Sequence, residues 1–157
     1  MKNLLPILLL VFSFSASAQD FSMELIKNKT PRNIGPGGMS GRVTSIDVVH
    51  SNPDIMYAGT ASGGVWKSIS GGVKWNPIFE NEATASIGAV AIQQSNPSVI
   101  WVGTGEGNPR NSLNGGYGIY KSLDGGKNWI LMGLEKTRHI HRVIIDPTNP
   151  NTVYAAA

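Results

Sequence analysis

The sequence predicts an all-β protein made of repeated four-stranded antiparallel sheets, and three observations predict it. A unit of about 45 to 50 residues occurs twice in full and begins a third time, with Asn-Pro pairs starting at residues 52, 96 and 149. Each copy divides into short runs rich in β-branched and aromatic residues, which are typical of strands. The 157 residues include 19 glycines and 9 prolines, as expected of a chain with many turns.

The first copy sets the order of strands and turns. We expect strands near Val43 to Val49, Ile55 to Gly59, Gly64 to Ser68 and Lys74 to Ile78. Asn52-Pro53 is expected to form the first turn and Ser70-Gly71-Gly72 the last. Because one such sheet cannot cover both of its faces, the copies must stack, and radial stacking gives a β-propeller. We therefore predict four-stranded antiparallel blades in a partial propeller, with two full blades and the start of a third.

The residues before the repeats are typical of a secretory signal. Lys2 precedes an apolar run from Leu4 to Phe14, and the small residues Ala16 to Ala18 follow as a cleavage site. The run is shorter than the roughly 20 residues that a bilayer-spanning helix needs. We expect cleavage after Ala18, no membrane span after cleavage, and export to the periplasm, the cell surface or the medium.

These patterns divide the chain into three parts. They are a signal peptide at 1–18, an N-terminal segment at 19–41 that leads into the propeller, and propeller repeats at 42–157, with blades at 42–79 and 85–133 and a partial blade at 138–157. The third copy is incomplete, so we expect a truncated sequence whose remaining blades belong to a longer chain.

Composition excludes several classes of function. The chain has no cysteine, so disulfides and thiolate metal sites are excluded. The net charge of +3 comes from scattered basic residues, which gives no support to a nucleic-acid partner. We expect no cofactor and no metal site. His139 and His141 alternate across the start of a strand, and we expect them to face opposite sides.

Two turns in register resemble the Asp box, S-x-D-x-G-x-x-W. The segment from Ser122 to Trp129 matches it fully, and the segment from Ser68 to Trp75 has Ser70 in place of the aspartate. The repeats resemble Asp-box (BNR) propellers of the sortilin-like and xyloglucanase-like exported bacterial type. In those families the box lies at the propeller periphery, so the resemblance implies a structural role for these residues. They are Ser68, Ser70, Gly72, Trp75, Ser122, Asp124, Gly126 and Trp129.

A meander places alternate turns at opposite ends of a blade, so the loops that follow the Gly-Thr pairs share one end with the residues that precede each first strand. That end contains the ranges 60–63, 83–86 and 104–117. The last of these is expanded, because Tyr120 follows Trp66 by 54 residues whereas Asn96 follows Asn52 by 44. We predict ligand binding there, with a purely solvated loop as the alternative. The candidate ligand-binding residues are Arg42, Glu106, Asn108, Arg110, Asn111, Arg138 and His139.

Binding and catalysis both remain open as functions of that end. We favour an exported sortilin-like propeller that binds a polypeptide or glycan outside the cytoplasm. The alternative is a glycoside hydrolase of the BNR-repeat or xyloglucanase type, which needs two carboxylates across the scissile bond. Glu106 is the one acid in a plausible position, and the resemblance would put a catalytic aspartate where Ala61 and Gly105 stand. We therefore assign no catalytic residue here, and a structural scaffold is the third option.

Overall fold

The computed structural model describes residues 41–109 and 111–157. The predicted signal peptide, nearly all of the segment at 19–41, and Arg110 lie outside the described residues. Within the described residues no helix is long and apolar enough to cross a membrane. The described strands are β1 Val43–Val48, β2 Met56–Thr60, β3 Val65–Ser68, β4 Asn76–Pro77, β5 Ile87–Ile92, β6 Ile100–Thr104, β7 Ile119–Ser122, β8 Ile130–Leu131, β9 Arg142–Ile145 and β10 Val153–Ala156.

The strands form three antiparallel sheets that follow chain order. We call β1–β4 blade 1, β5–β8 blade 2 and β9–β10 blade 3. Blades 1 and 2 share one register: Ser45 pairs with Gly59 and Ala89 with Gly103, and each first strand shifts its register just before that pair. The predicted fold class, a partial propeller of four-stranded antiparallel blades, is confirmed.

The fourth strands are shorter than the sequence predicts. β4 covers two residues, although Ile78 N–H still donates to Val65 O at 2.9 Å. Pro77 has no N–H to give to the ladder, and β4 pairs on one side alone, with β3. The outermost strand is therefore reduced to the residues that its single neighbour supports.

Neighbouring blades pack where the second strand has no side chain. A Cβ on Gly59 would lie 2.6 Å from Ile87 Cγ2, and a Cβ on Gly103 would lie 2.5 Å from Ile140 Cγ2. Ile87 and Ile140 are both fully buried. Blades 2 and 3 thus each insert an isoleucine, from the start of β5 and from just before β9, against bare backbone of the preceding blade, and glycine is required at that contact.

Burial of the first strand depends on the preceding blade. Ile87 and Val90 in blade 2 are 0% and 7% exposed, whereas Val43 and Ile46 occupy the same repeat positions in blade 1 and are each 60% exposed. No described blade precedes blade 1. The apolar face of each blade is therefore covered by its neighbour, as stacked repeats require.

Polar side chains of β1 cover the free edge of β5. Ser45 Oγ accepts the Val90 N–H at 2.9 Å, and Asp47 Oδ2 accepts the Ile92 N–H at 2.7 Å. Unpaired strand edges otherwise recruit other chains. Blade 1 therefore holds blade 2 by hydrogen bonds to the edge of β5 and by apolar packing around Ile87.

Candidate functional site

The long loop between β6 and β7 is organised by one buried acid. Glu106 has no solvent-exposed surface, and its Oε2 accepts a hydrogen bond from Arg42 Nη2 at 2.5 Å. The Arg42 side chain is 41% exposed. A carboxylate of the loop is thus held under a cation that comes from the start of blade 1.

The backbone of Glu106 contacts residues that lead into the first strands of blades 2 and 3. Its N–H donates to Ser86 Oγ at 3.0 Å, and His139 Nδ1 lies 2.9 Å from its carbonyl oxygen. Arg42, Ser86 and His139 occupy the same repeat position. It directly precedes β1 in blade 1 and β5 in blade 2, and it lies three residues before β9 in blade 3. One loop residue therefore links equivalent positions of three successive blades.

Further bonds anchor both ends of the loop. Gly105 N–H donates to Ser86 O at 2.7 Å, and Gly116 N–H donates to Arg138 O at 2.6 Å. Near the second anchor, Asn114 Nδ2 donates to Ser62 Oγ at 2.8 Å. The loop therefore rests on blade 1 on one side and on the segment leading into blade 3 on the other.

A shallow neutral hollow lies beside these anchors. Its volume is about 280 Å³, and its polar side chains include Ser62, Thr84 and Asn114. Hydroxyl and amide groups donate and accept hydrogen bonds without carrying charge. The one close ion pair of the described loop, Arg42 with Glu106, satisfies its own charges.

The structure brings together some of the predicted residues and leaves others apart. Arg42, Glu106 and His139 join in the contacts described above, whereas Asn108, Asn111 and Arg138 are exposed to solvent. Arg110 lies outside the described residues. Sequence reasoning missed Ser86 and Asn114 as individual residues, although both fall within the ranges assigned to this end, because nothing local marks which loop atoms will meet.

The prediction that the two histidines face opposite sides is wrong. The ring centroids of His139 and His141 are 6.4 Å apart, and Ile140 between them is fully buried. In an extended chain, residues two apart share a face, and the intervening residue faces the other way. In the described part of the chain no group of three or more histidine or acidic side chains is arranged to hold a metal ion.

Asp124 binds its own turn, at the opposite end of blade 2. Its Oδ1 accepts the N–H groups of Lys127 and Asn128 at 3.0 and 2.9 Å, and its Oδ2 accepts from Asn128 Nδ2 at 2.6 Å. The bonds from Asn128, first from the side chain and then from the backbone, hold the pKa of Asp124 well below its usual range. A carboxylate bonded in this way is part of the turn.

The equivalent turn of blade 1 has the same geometry with fewer bonds. Ser68 Oγ accepts the Gly72 N–H at 3.0 Å, as Ser122 Oγ accepts the Gly126 N–H at 2.9 Å. Ser70 Oγ accepts one backbone N–H beyond the turn, that of Lys74 at 2.9 Å. A hydroxyl thus replaces the aspartate and supplies part of its hydrogen bonding.

Exchanging the two side chains should move stability in opposite directions. We expect Ser70→Asp to raise the melting temperature by a few degrees and Asp124→Ser to lower it, because a carboxylate accepts more backbone N–H bonds. Thermal melting followed by circular dichroism checks both variants.

The stability that Asp124 contributes should depend on pH. Its pKa is depressed in the folded state, so the contribution is complete above the ordinary pKa of an aspartate and disappears as the pH falls through the depressed value. The deficit of Asp124→Ser should therefore persist at neutral pH and vanish in strong acid; a deficit independent of pH contradicts this reading.

Solved structures similar to the chain include two GH74 enzymes. One is the GH74 enzyme of Niastella koreensis, with 25% identity and a TM-score of 0.57, covering 74% of this chain and 17% of that chain. The other is an ancestral GH74 enzyme, with the same identity and TM-score, covering 73% of this chain and 16% of that chain. A scan against protein-family models and a search of curated proteins gave no significant match. The chain spans about a sixth of the length of these neighbours and is similar there to part of a glycoside hydrolase-like propeller.

Proposed function

We propose that this chain is part of an exported, sortilin-like Asp-box propeller that binds a polypeptide or glycan at the end formed by the loop between β6 and β7. We call this end the loop face. The observation that carries the proposal is the contact of Glu106 with Arg42, Ser86 and His139. A loop fixed before binding loses less conformational entropy when a ligand arrives.

The exposed residues of the loop face supply the recognition groups. Asn108 and Asn111 offer exposed amides of the loop, and Arg138 offers an exposed guanidinium close to Gly115, which lines the neutral hollow. Such groups hydrogen-bond equally well to sugar hydroxyls and to a peptide backbone. The signal-like residues 1–18 support export of the protein, with cleavage after Ala18.

A structural role for the two Asp-box-type turns supports the same proposal. The carboxylate of Asp124 is occupied by hydrogen bonds within its turn. By topology this turn, between the third and fourth strands, lies at the end of the blade opposite the loop between the second and third strands. The turns therefore stabilise the blade, and the loop face is left for the ligand.

A glycoside hydrolase is the second candidate, and the similarity to two GH74 enzymes favours it. Hydrolysis of a glycosidic bond needs a pair of carboxylates. Glu106 contributes one carboxylate, and its Oε2 already forms an ion pair with Arg42. An enzyme built on this chain would therefore draw catalytic residues partly from beyond these 157 residues.

Affinity electrophoresis against soluble polysaccharides, together with binding to an immobilised peptide library, tests the binding proposal. We expect Asn108→Ala and Arg138→Ala each to lower the affinity for the captured ligand by about 10-fold, as for residues central to an interface. Asn151→Ala is the matched control, because Asn151 is an exposed amide in the turn at the opposite end.

The same samples separate the candidate functions. Equal affinity of all three variants would place the ligand elsewhere and refute the loop face as the site. Release of reducing sugar from a polysaccharide or an aryl-glycoside by the purified chain would favour the hydrolase. If the parent chain binds none of the polysaccharides or peptides, a structural scaffold is the remaining candidate function.

A further inference from the structure

Two imidazole rings lie side by side where the chain enters blade 3. The ring centroids of His139 and His141 are 6.4 Å apart, and the ring planes are inclined by 34°. Ile140 between them is fully buried, so both imidazoles project from the opposite face of the chain. The expected absence of a metal site rested partly on placing these rings on opposite faces. With that placement corrected, two nitrogen ligands of the kind that bind transition metals are neighbours.

The backbone of the long loop orients the His139 ring. His139 Nδ1 lies 2.9 Å from the carbonyl oxygen of Glu106. Because a carbonyl oxygen only accepts hydrogen bonds, Nδ1 carries the proton of the neutral ring, and Nε2 keeps its lone pair. Histidines that bind metals are commonly oriented in this way, with the other ring N–H donated to a backbone carbonyl. His139 is therefore prepared to bind a metal ion through Nε2.

The same loop positions the His141 ring. A Cβ added to Gly107 would overlap this ring, and the ring atom nearest to that Cβ is Nδ1. The imidazole thus occupies the space that a side chain at position 107 would fill, with its Nδ1 edge toward the loop. Nε2 lies on the far side of the ring. Both histidines therefore turn Nδ1 toward the loop backbone and leave Nε2 for a ligand.

The separation of the rings is within the reach of one metal ion. With metal–nitrogen bonds of about 2.1 Å, one ion joins imidazoles whose centroids lie up to about 6.5 Å apart. The observed 6.4 Å lies at the upper end of that range. A tetrahedral angle at the ion needs the centroids about 1 Å closer, and a small rotation of the exposed His141 side chain supplies this. Imidazole ligands suit Zn²⁺ and Cu²⁺, whereas Mg²⁺ and Ca²⁺ prefer oxygen.

We propose that His139 and His141 bind one divalent transition-metal ion, Zn²⁺ or Cu²⁺, at the loop face. The Nε2 atoms of the two rings are its protein ligands, and water completes the coordination. The carboxylate of Glu106 is not a ligand, because its Oε2 is paired with Arg42. Glu106 acts instead through its carbonyl oxygen, as a positioning residue for His139. The metal site does not require a bound polypeptide or glycan, so it is tested separately from the proposed function.

Isothermal titration of the 157-residue protein with Zn²⁺ and with Cu²⁺ tests the proposal, at about pH 7.5 where imidazole is neutral. We expect saturable binding of one ion per chain and no binding of Mg²⁺. His139→Ala and His141→Ala should each lower the affinity about 10-fold or more, and Gly107→Ala, which displaces a ring without removing a ligand, about 10-fold. The chain has three histidines, and the third, His50, lies in the exposed turn after β1 at the opposite end. His50→Ala is therefore the matched control, and it should leave the affinity unchanged.

A spectroscopic readout does not depend on folding of the variants. In ¹⁵N-labelled parent protein, Zn²⁺ should shift the Nε2 resonances of His139 and His141 and leave those of His50 in place. Absence of saturable binding of either ion, or unchanged affinity in both His139→Ala and His141→Ala, overturns the proposal. A stoichiometry of one ion per two chains would assign the ion to a contact between copies of the chain, and would also overturn it.

Discussion

Replacing Gly105 with alanine is expected to destabilise the chain by about 4 kcal/mol or more, which is exceptional for one methyl group. Gly105 has a φ of +85°, where side chains are strained. The added Cβ would lie 1.8 Å from Arg138 O and 2.8 Å from Gly116 N. Both are backbone atoms at the anchor of the loop, so no side-chain rotation relieves the overlap. Urea denaturation followed by circular dichroism measures the free energy of unfolding.

Gly133→Ala is the matched control for backbone strain without overlap. Gly133 has a φ of +119°, and an added Cβ would have no neighbour within 4 Å. Its cost should be limited to conformational strain, about 1 to 3 kcal/mol. If the two alanine variants lost equal stability, the close contact between Gly105 and the segment before blade 3 would not be the cause.

Repetition made the fold predictable from the sequence. The Asn-Pro pairs and the Gly-Thr pairs fix the register of each copy, so a shift of one residue would turn every apolar side chain to the wrong face. Val43 and Ile87 illustrate both the strength and the limit of that reasoning. They match in sequence, yet one is 60% exposed and the other fully buried, because burial is supplied by a neighbouring blade.

The contacts between blades were not predictable from the sequence. Ser45 and Asp47 are ordinary polar residues on a strand, and no local pattern indicates that they accept N–H bonds from the next blade. The reduced fourth strand was missed for a similar reason, since its length is set by having one neighbour. These features depend on how separate sheets meet, which is a property of tertiary structure.

The candidate site was predictable at the level of loops and not of atoms. Alternation of turns in a meander brought Arg42, Glu106 and His139 to one end, and the structure joins them. The burial of Glu106 depends on the course of a long loop, which no periodicity determines. The error over His141 was of another kind. Side chains in a strand alternate between its two faces, so residues 139 and 141 share a face, whereas the prediction assigned them to opposite faces.

Removing the cation of the buried pair is the second large effect we expect. Arg42→Met should lower the free energy of unfolding by about 2 to 3 kcal/mol, somewhat less than for a fully buried pair because Arg42 is 41% exposed. The loss arises because Glu106 remains buried without a counter-charge. Arg142→Met is the matched control: Arg142 is exposed and makes no ion pair within the described residues, so the same substitution should change stability little.

A double-mutant cycle separates the ion pair from the packing of its side chains. Glu106→Gln keeps the shape and the oxygen acceptor but removes the charge that needs Arg42. In that background Arg42→Met should cost less, and the difference, about 1 to 3 kcal/mol, is the coupling energy of the pair. Independent, additive losses would mean that the Glu106 carboxylate and Arg42 do not stabilise each other, so the close contact between them would not be what holds the loop to blade 1. Coupling, by contrast, would show that the ion pair itself holds the start of blade 1 to the loop between β6 and β7 of blade 2.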